Sequence, residues 1–90
     1  MSAPSIRVAD LSTGHLTAET MSDVIADVAC QARAGATYPE GVWLWISDER
    51  YDDEPPSLLA VQDWARSHGF EWVRLDADGE RVAELPFYVW

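Results

Sequence analysis

The sequence predicts an α/β (α+β) fold in which two helices pack on a four-stranded mixed sheet, with the elements in the order βαβαββ. Apolar residues recur at helical spacing in two segments, and three short runs of apolar or alternating residues are typical of strands. The pair Asp78-Gly79 is typical of a β-hairpin turn. Ninety residues suffice for one hydrophobic core and are too few for two, so we expect a single domain over 1–90.

The first half of the chain predicts a strand followed by a helix. Apolar and polar residues alternate over 5–11, as in a strand with one wet face. Thr17 is suited to cap the following helix, and Gly35 is suited to end it. Cys30 lies on the opposite side of this helix from its apolar face, so we expect the thiol to be exposed or in an interface. The predicted apolar face consists of Met21, Val24, Ile25, Val28, Ala29 and Ala32.

The central strand is predicted over 41–47. Its run of large apolar residues is uninterrupted by charge, which favours a strand covered on both faces. The acidic loop 48–54 follows directly, so this strand connects the core to the most highly charged part of the chain.

The second half predicts a helix and a hairpin. Proline is tolerated at a helix start and glycine is common just after a helix end, which places the second helix between Pro55 and Gly69. A third strand over 70–75 is then expected to pair with an antiparallel fourth strand over 80–85. The tail 87–90 is too apolar to remain in water, and we expect it to dock against the sheet or a partner.

This topology would gather acidic residues at one edge of the sheet. Strands that are connected through helices are normally parallel, so the C-terminal ends of the first three strands should share one rim. Neighbouring strands lie about 4.8 Å apart and phosphates of one DNA strand about 3.4 Å apart, so carboxylates on successive strand ends approximate phosphate density. The predicted partner-binding residues are Asp10, Asp48, Glu49, Asp52, Asp53, Glu54, Asp76 and Asp78.

Composition restricts the class of partner. Sixteen acidic residues against six arginines and no lysine give a formal charge of −10, which disfavours direct binding to nucleic acid or an anionic membrane and favours a basic protein surface. A single cysteine favours a reducing compartment. The N-terminus does not resemble a signal peptide and no apolar run is long enough to span a bilayer, so we expect a cytoplasmic protein, either a monomer or a weak homodimer.

The sequence predicts a protein that is not an enzyme and that binds no metal or cofactor. The segment Leu75–Gly79 looks like the nucleophile loop of haloacid dehalogenase-type phosphatases, yet that family also requires a lysine, which this chain lacks. His15 and His68 are the two histidines, and neither has metal-ligand spacing to the other or to Cys30. We expect His15 to form structural hydrogen bonds.

Several stretches together resemble an uncharacterised family of small proteins that plasmids, integrated elements and phages encode. The stretches that carry this resemblance are Leu11–Thr17 with Thr20, Gly41–Trp45, Ala65–Gly79 and Leu85–Trp90. Genes in such elements often encode proteins that counter host defence, and small acidic ones commonly imitate DNA.

Three functional hypotheses follow. The first is an anti-CRISPR-like inhibitor that occupies the basic nucleic-acid channel of a CRISPR surveillance complex (Cascade) by mimicking DNA charge. The alternative is an antitoxin or regulatory protein-binding module that docks through its apolar tail and Leu59. The third is a hydrolase with a carboxylate-bound metal.

Overall fold

The computed structural model describes residues 5–90, which form a four-stranded mixed sheet and two helices. The predicted fold class is therefore confirmed. A 3-10 turn, Thr13–His15, lies between the first strand and the first helix. In chain order the elements are β1 Val8–Ser12, α1 Ala18–Ala29, β2 Gly35–Tyr38, β3 Gly41–Trp45, α2 Pro56–Ser67 and β4 Trp72–Asp76.

The first helix begins where predicted and ends earlier. The Thr17 side chain caps α1 by accepting a hydrogen bond from the backbone N–H of Thr20 at 3.2 Å. The helix ends at Ala29, and Gln31 takes the left-handed conformation with φ of 65°, so the prediction that Gly35 ends the helix was wrong. Gly35 instead begins β2, where a Cβ atom would lie 2.0 Å from the Trp43 carbonyl oxygen. It is the close approach of two strands that requires glycine there.

The second helix follows its predicted boundaries. Pro56 is its first residue, and Gly69 adopts a φ of 74° two residues after its end. This conformation favours glycine and turns the chain toward β4.

The strands pair in the order β1-β4-β3-β2. The hairpin joins β2 to β3 through Pro39-Glu40, so the order of elements along the chain is βαββαβ. The predicted fourth strand over 80–85 is absent from the sheet, and Glu80 makes an isolated parallel bridge to Leu11. The reason is that β4 already pairs with β1 on one edge and with β3 on the other, which leaves no edge for a returning strand.

The strand directions also differ from the prediction. β1 is parallel to β4, whereas β3 is antiparallel to β4, so the expectation that the first three strands are all parallel was wrong. The reversal arises because the chain leaving α1 enters β2 first and the two-residue turn then reverses it into β3.

The core lies between one face of the sheet and both helices. Alternate residues of β1, β3 and β4 form this face, and they pack with buried side chains of α1 and α2 in one contiguous cluster. The most completely buried apolar members are Leu11, Leu16, Val24, Val42, Leu44, Leu58, Val61, Val73 and Leu75. The fold therefore has two layers, and the opposite face of the sheet is outside the core.

Candidate functional site

The predicted acidic rim is divided between opposite ends of the sheet. Trp45, at the C-terminal end of β3, pairs with Trp72 at the start of β4, whereas Asp76 at the end of β4 pairs with Gly41. The loop that begins at Asp48 therefore leaves the sheet at the end away from Asp76. The physical cause is the antiparallel direction of β3, and the spacing argument for phosphate mimicry loses its geometric basis.

The predicted residues of β1 and β4 are engaged within the chain. Asp10 lies within β1 and accepts hydrogen bonds from the guanidinium of Arg74 at 2.5 and 3.3 Å. Asp76 accepts from the Tyr38 hydroxyl at 2.5 Å and from the backbone N–H of Asp78 at 2.8 Å. The hydrogen bond from Tyr38 is the main reason why the pKa of Asp76 lies below its usual value.

Glu54 in the acidic loop is a structural residue. Its carboxylate accepts hydrogen bonds from the Arg33 guanidinium at 2.7 and 2.9 Å and from the Gln62 amide at 2.7 Å. The bonds from Arg33 lower the pKa of Glu54. The loop is thereby tied to the segment between α1 and β2 and to α2.

The rest of the acidic loop is largely exposed. Arg50 pairs with Asp52, and the Tyr51 hydroxyl donates to Glu49 at 3.0 Å. Asp48 and Asp53 are exposed and form no salt bridge with any other described residue. All five carboxylates remain candidates for partner contact, although Glu54 also stabilises the fold.

The open face of the sheet, opposite the helices, carries three of the five tryptophans. Val8, Trp72 and Trp45 lie side by side across three adjacent strands, and the next row contains Arg74 and Trp43. Trp45 is 49% exposed, and Trp43 and Trp72 are partly exposed. The prediction that β3 is covered on both faces was therefore wrong.

A shallow cavity of about 400 Å³ lies on this open face. Trp43 and Trp72 line it together with Ile6, Gly35 and Ala36. The small residues of β2 leave the space that the neighbouring indoles border. The cavity can accept a large side chain from a partner.

The open face already accommodates a guanidinium group. The Arg74 guanidinium carbon lies 5.7 Å from the centre of the Trp43 ring, within the range of a cation–π interaction. Arg74 is simultaneously held by Asp10. Tryptophan faces and carboxylates therefore occur next to each other on one surface.

His15 has a structural role. It is buried, its Nδ1 donates to the Pro86 carbonyl at 2.8 Å and its Nε2 accepts from the backbone N–H of Val82 at 2.9 Å. Both ring nitrogens are thus used, which confirms the expectation of structural hydrogen bonds and leaves neither nitrogen free to act as a base or ligand. Cys30 is exposed, as predicted.

The C-terminal tail docks against the turn that contains His15. The backbone N–H of Tyr88 donates to the Gly14 carbonyl at 2.7 Å, and the indole N–H of Trp90 donates to the Leu16 carbonyl at 2.9 Å. Phe87 packs edge-on against the His15 ring. The tail therefore packs in part against the chain itself, while Val89 and Trp90 are 93% and 60% exposed.

The sequence contains a signal for the open face that its continuous apolar run obscures. Within the run, smaller aliphatic residues at 42, 44 and 46 alternate with tryptophans at 43 and 45. The aliphatic residues are buried in the core, and the tryptophans point outward. The run therefore does alternate with a period of two, but between two kinds of apolar residue instead of between apolar and polar residues.

Comparison with known proteins assigns this chain to a family but indicates no activity for it. The family model that matches residues 8–90 is described as "Family of unknown function (DUF5983) C-terminal domain". No curated protein and no solved structure shows significant similarity to the chain. Within residues 5–90, no helix is both long and apolar enough to cross a membrane, and no three His, Cys, Asp or Glu side chains are grouped suitably for a metal ion.

Proposed function

This chain belongs to the DUF5983 family of unknown function, and we propose that it is a non-enzymatic protein-binding domain whose binding surface is the open face of the sheet. The observation that supports this proposal most strongly is the position of Trp43, Trp45 and Trp72 on one face that the helices do not cover.

One exposed and two partly exposed tryptophans lie together on this face. Contiguous apolar patches on soluble proteins commonly mark interaction sites. Tryptophan, tyrosine and arginine are the residue types that most often dominate binding energy at protein interfaces. The open face has all three types, because Tyr38 and Arg74 lie beside the tryptophans.

Charge favours a protein partner over a nucleic acid. Single-stranded nucleic acids also stack on aromatic residues of open sheets, but they require a positively charged groove along the backbone. Here Arg74 is neutralised by Asp10, and the whole chain carries a formal charge of −10. A basic protein surface fits both the aromatic face and the surrounding charge.

The finer hypothesis of an anti-CRISPR-like DNA mimic now rests on net charge and on the family resemblance. The strand ends that would imitate phosphates lie at two ends of the sheet, so a regulatory protein-binding module is the better supported function. A basic nucleic-acid-binding protein of a defence system has the charge that such a module would bind.

A comparison of two double variants tests the proposal. Trp43→Ser with Trp45→Ser removes the aromatic surface, and Asp48→Asn with Asp53→Asn removes exposed loop charge without disturbing Glu54. Immobilised parent and variant proteins would be incubated with host lysate at low and high salt, and circular dichroism would verify that both variants fold.

The expected result is that the tryptophan variant loses the partner and the acidic-loop variant retains it at low salt. Loss of two hot-spot residues at about 2 kcal/mol each reduces affinity by a factor of several hundred or more. If the tryptophan variant captures the partner as well as the parent does, the open face is not the binding surface. If the acidic-loop variant alone loses it, the binding surface is instead the loop.

A further inference from the structure

We infer that the partner supplies an extended, arginine-bearing segment that adds to the sheet at the outer edge of β2 and places a guanidinium against Trp43. This inference rests on the proposed function and specifies the chemistry of the partner. It depends on an unpaired strand edge, an adjacent cavity and the charge of the chain.

The two edges of the sheet differ. The outer edge of β1 is partly occupied, because the Ser12 backbone N–H donates to the Glu80 carbonyl at 2.8 Å and Leu11 bridges to Glu80. The outer edge of β2 has no backbone partner among residues 5–90, and Gly35, Ala36 and Thr37 are exposed.

The side chains within β2 do not oppose strand addition. Natural edge strands commonly carry charged residues, prolines or bulges that prevent another strand from pairing. β2 consists of Gly-Ala-Thr-Tyr, with no charge and no proline. It is four residues long and Pro39 follows it, so an added strand would pair with it over this short stretch. Alternate backbone N–H and C=O groups of such an edge face outward and can bond to an added strand.

The cavity beside this edge indicates which type of side chain an added strand would place there. An added strand next to β2 would direct every second side chain to the open face, where Ala36 leaves space and Trp43 borders it. The position of Arg74 over Trp43 within the chain is an internal example of a guanidinium accepted by this surface. A cationic side chain is also attracted by the excess negative charge of the chain.

Charge argues against a second copy of this chain as the occupant. Two copies that paired through β2 would bring together two chains that each carry a formal charge of −10. Such like-charge repulsion opposes association, whereas a basic segment relieves it.

Synthetic decapeptides provide the test, because their backbone and side chains can be changed separately. The main probe alternates arginine and valine. Its controls replace arginine with lysine or with glutamate, and two further versions are N-methylated at one or the other set of alternate residues, so that one edge of each peptide cannot donate hydrogen bonds. Binding to the full chain would be measured by fluorescence and calorimetry at two salt concentrations, with a single-stranded oligonucleotide as an additional probe.

We expect the arginine peptide to bind most tightly and the glutamate peptide not to bind. N-methylation of the edge that pairs with β2 should abolish binding. Trp43→Leu should weaken it roughly fivefold through loss of the cation–π contact, and Ile25→Ala, which changes an exposed apolar side chain on α1, should not affect it.

Equal affinity for the arginine and lysine peptides, or no effect of N-methylation at either edge, would overturn the inference. Concentration-dependent dimerisation through the same edge would assign it to a second copy, and preference for the oligonucleotide would assign the face to nucleic acid. If the arginine peptide does not bind but the tryptophan double variant still loses its partner from lysate, the open face is the binding surface and strand addition to β2 is not the mode of binding. If the arginine peptide does not bind and the tryptophan double variant retains the partner, the proposed function is wrong as well.

Discussion

Replacing Glu54 with glutamine should destabilise the folded protein by about 1–2 kcal/mol. The Glu54 side chain is 16% exposed and accepts two hydrogen bonds from Arg33 and one from Gln62. A hydrogen bond to a charged group contributes about 1.5–3 kcal/mol, whereas an exposed ion pair contributes about 0–1 kcal/mol. This pair is intermediate in exposure, and glutamine can retain part of the hydrogen bonding. For a domain of this size the loss corresponds to a decrease in Tm of roughly 4–8 °C per kcal/mol.

The effect of Glu54→Gln should depend on pH in a defined direction. The bonds from Arg33 lower the pKa of Glu54 from the usual value of 4.5. A carboxyl group with a lowered pKa in the folded state stabilises that state fully above the pKa of the unfolded chain, and this contribution is lost as the pH falls through the pKa of the folded state. The difference between parent and variant should therefore be largest near neutral pH and should shrink on acidification below about pH 4.5.

Urea unfolding at pH 7, 5 and 3 measures this difference. Asp53→Asn is the matched control, because it removes the same charge from the neighbouring, exposed residue, which forms no salt bridge with any other residue in 5–90. Its effect should remain within about 0.5 kcal/mol of zero. Equal stability of the two variants at pH 7, or a deficit of Glu54→Gln that is unchanged at pH 3, would contradict a stabilising role of the Glu54 carboxylate.

Three further predictions concern groups that the structure places in defined surroundings. Burial and the hydrogen bond to Asp76 raise the pKa of Tyr38 to about 12. The last step of tyrosine ionisation, followed by ultraviolet absorbance, should therefore disappear in Tyr38→Phe. Complete tyrosine ionisation by about pH 11 in the parent would contradict this. In Gly14→Ala the new Cβ would lie 2.5 Å from the Phe87 ring and should displace the C-terminal tail. Carboxypeptidase should then digest the tail faster than in the parent. An equal rate of digestion would show that the tail tolerates the change. Cys30 should react with a thiol reagent as fast in the native protein as in urea, and strong protection together with a dimer in sedimentation would show that a second copy covers it.

Local signals in the sequence predicted both helix starts and the end of α2, but Ile25, Ala29 and Ala32 of the predicted apolar face are exposed. The Thr17 cap, the proline start of α2 and the left-handed Gly69 each depend on interactions within a few residues, and all three were confirmed. Gly35 was misassigned because a glycine that ends a helix and a glycine that allows two strands to approach closely look the same in sequence. The contact that distinguishes them is with the Trp43 carbonyl, eight residues away.

Strand pairing was harder to predict, because it depends on which edges remain free in the folded sheet. Asp78-Gly79 does form a turn, in which the Gly79 N–H donates to the Asp76 carbonyl at 2.9 Å. The chain after this turn cannot return along β4, since both edges of β4 are occupied. The hairpin forms instead at Pro39-Glu40, between two short runs whose pairing places Tyr38 opposite Gly41.

The acidic side chains could be predicted to lie at the surface, but their neighbours could not. Glu54 is separated from Arg33 by 21 residues and Asp10 from Arg74 by 64, so these pairs exist only once the fold has formed. The open face was missed because tryptophan is apolar, and an outward row of tryptophans does not produce the polar alternation that normally reveals a half-exposed strand.

Two surfaces of this protein differ in whether arginine neutralises their carboxylates. Arg74 neutralises Asp10 on the open face, whereas Asp48 and Asp53 remain unpaired with any other described residue in the loop beyond β3. Exposed charges act over about 10 Å at 0.1 M salt and mainly affect the rate of encounter, whereas desolvated aromatic contacts mainly affect the rate of dissociation. If the open face binds a basic partner as proposed, the acidic loop would accelerate its approach and the tryptophans would retain it. The acidity of the chain and its aromatic face would then be two parts of one recognition process.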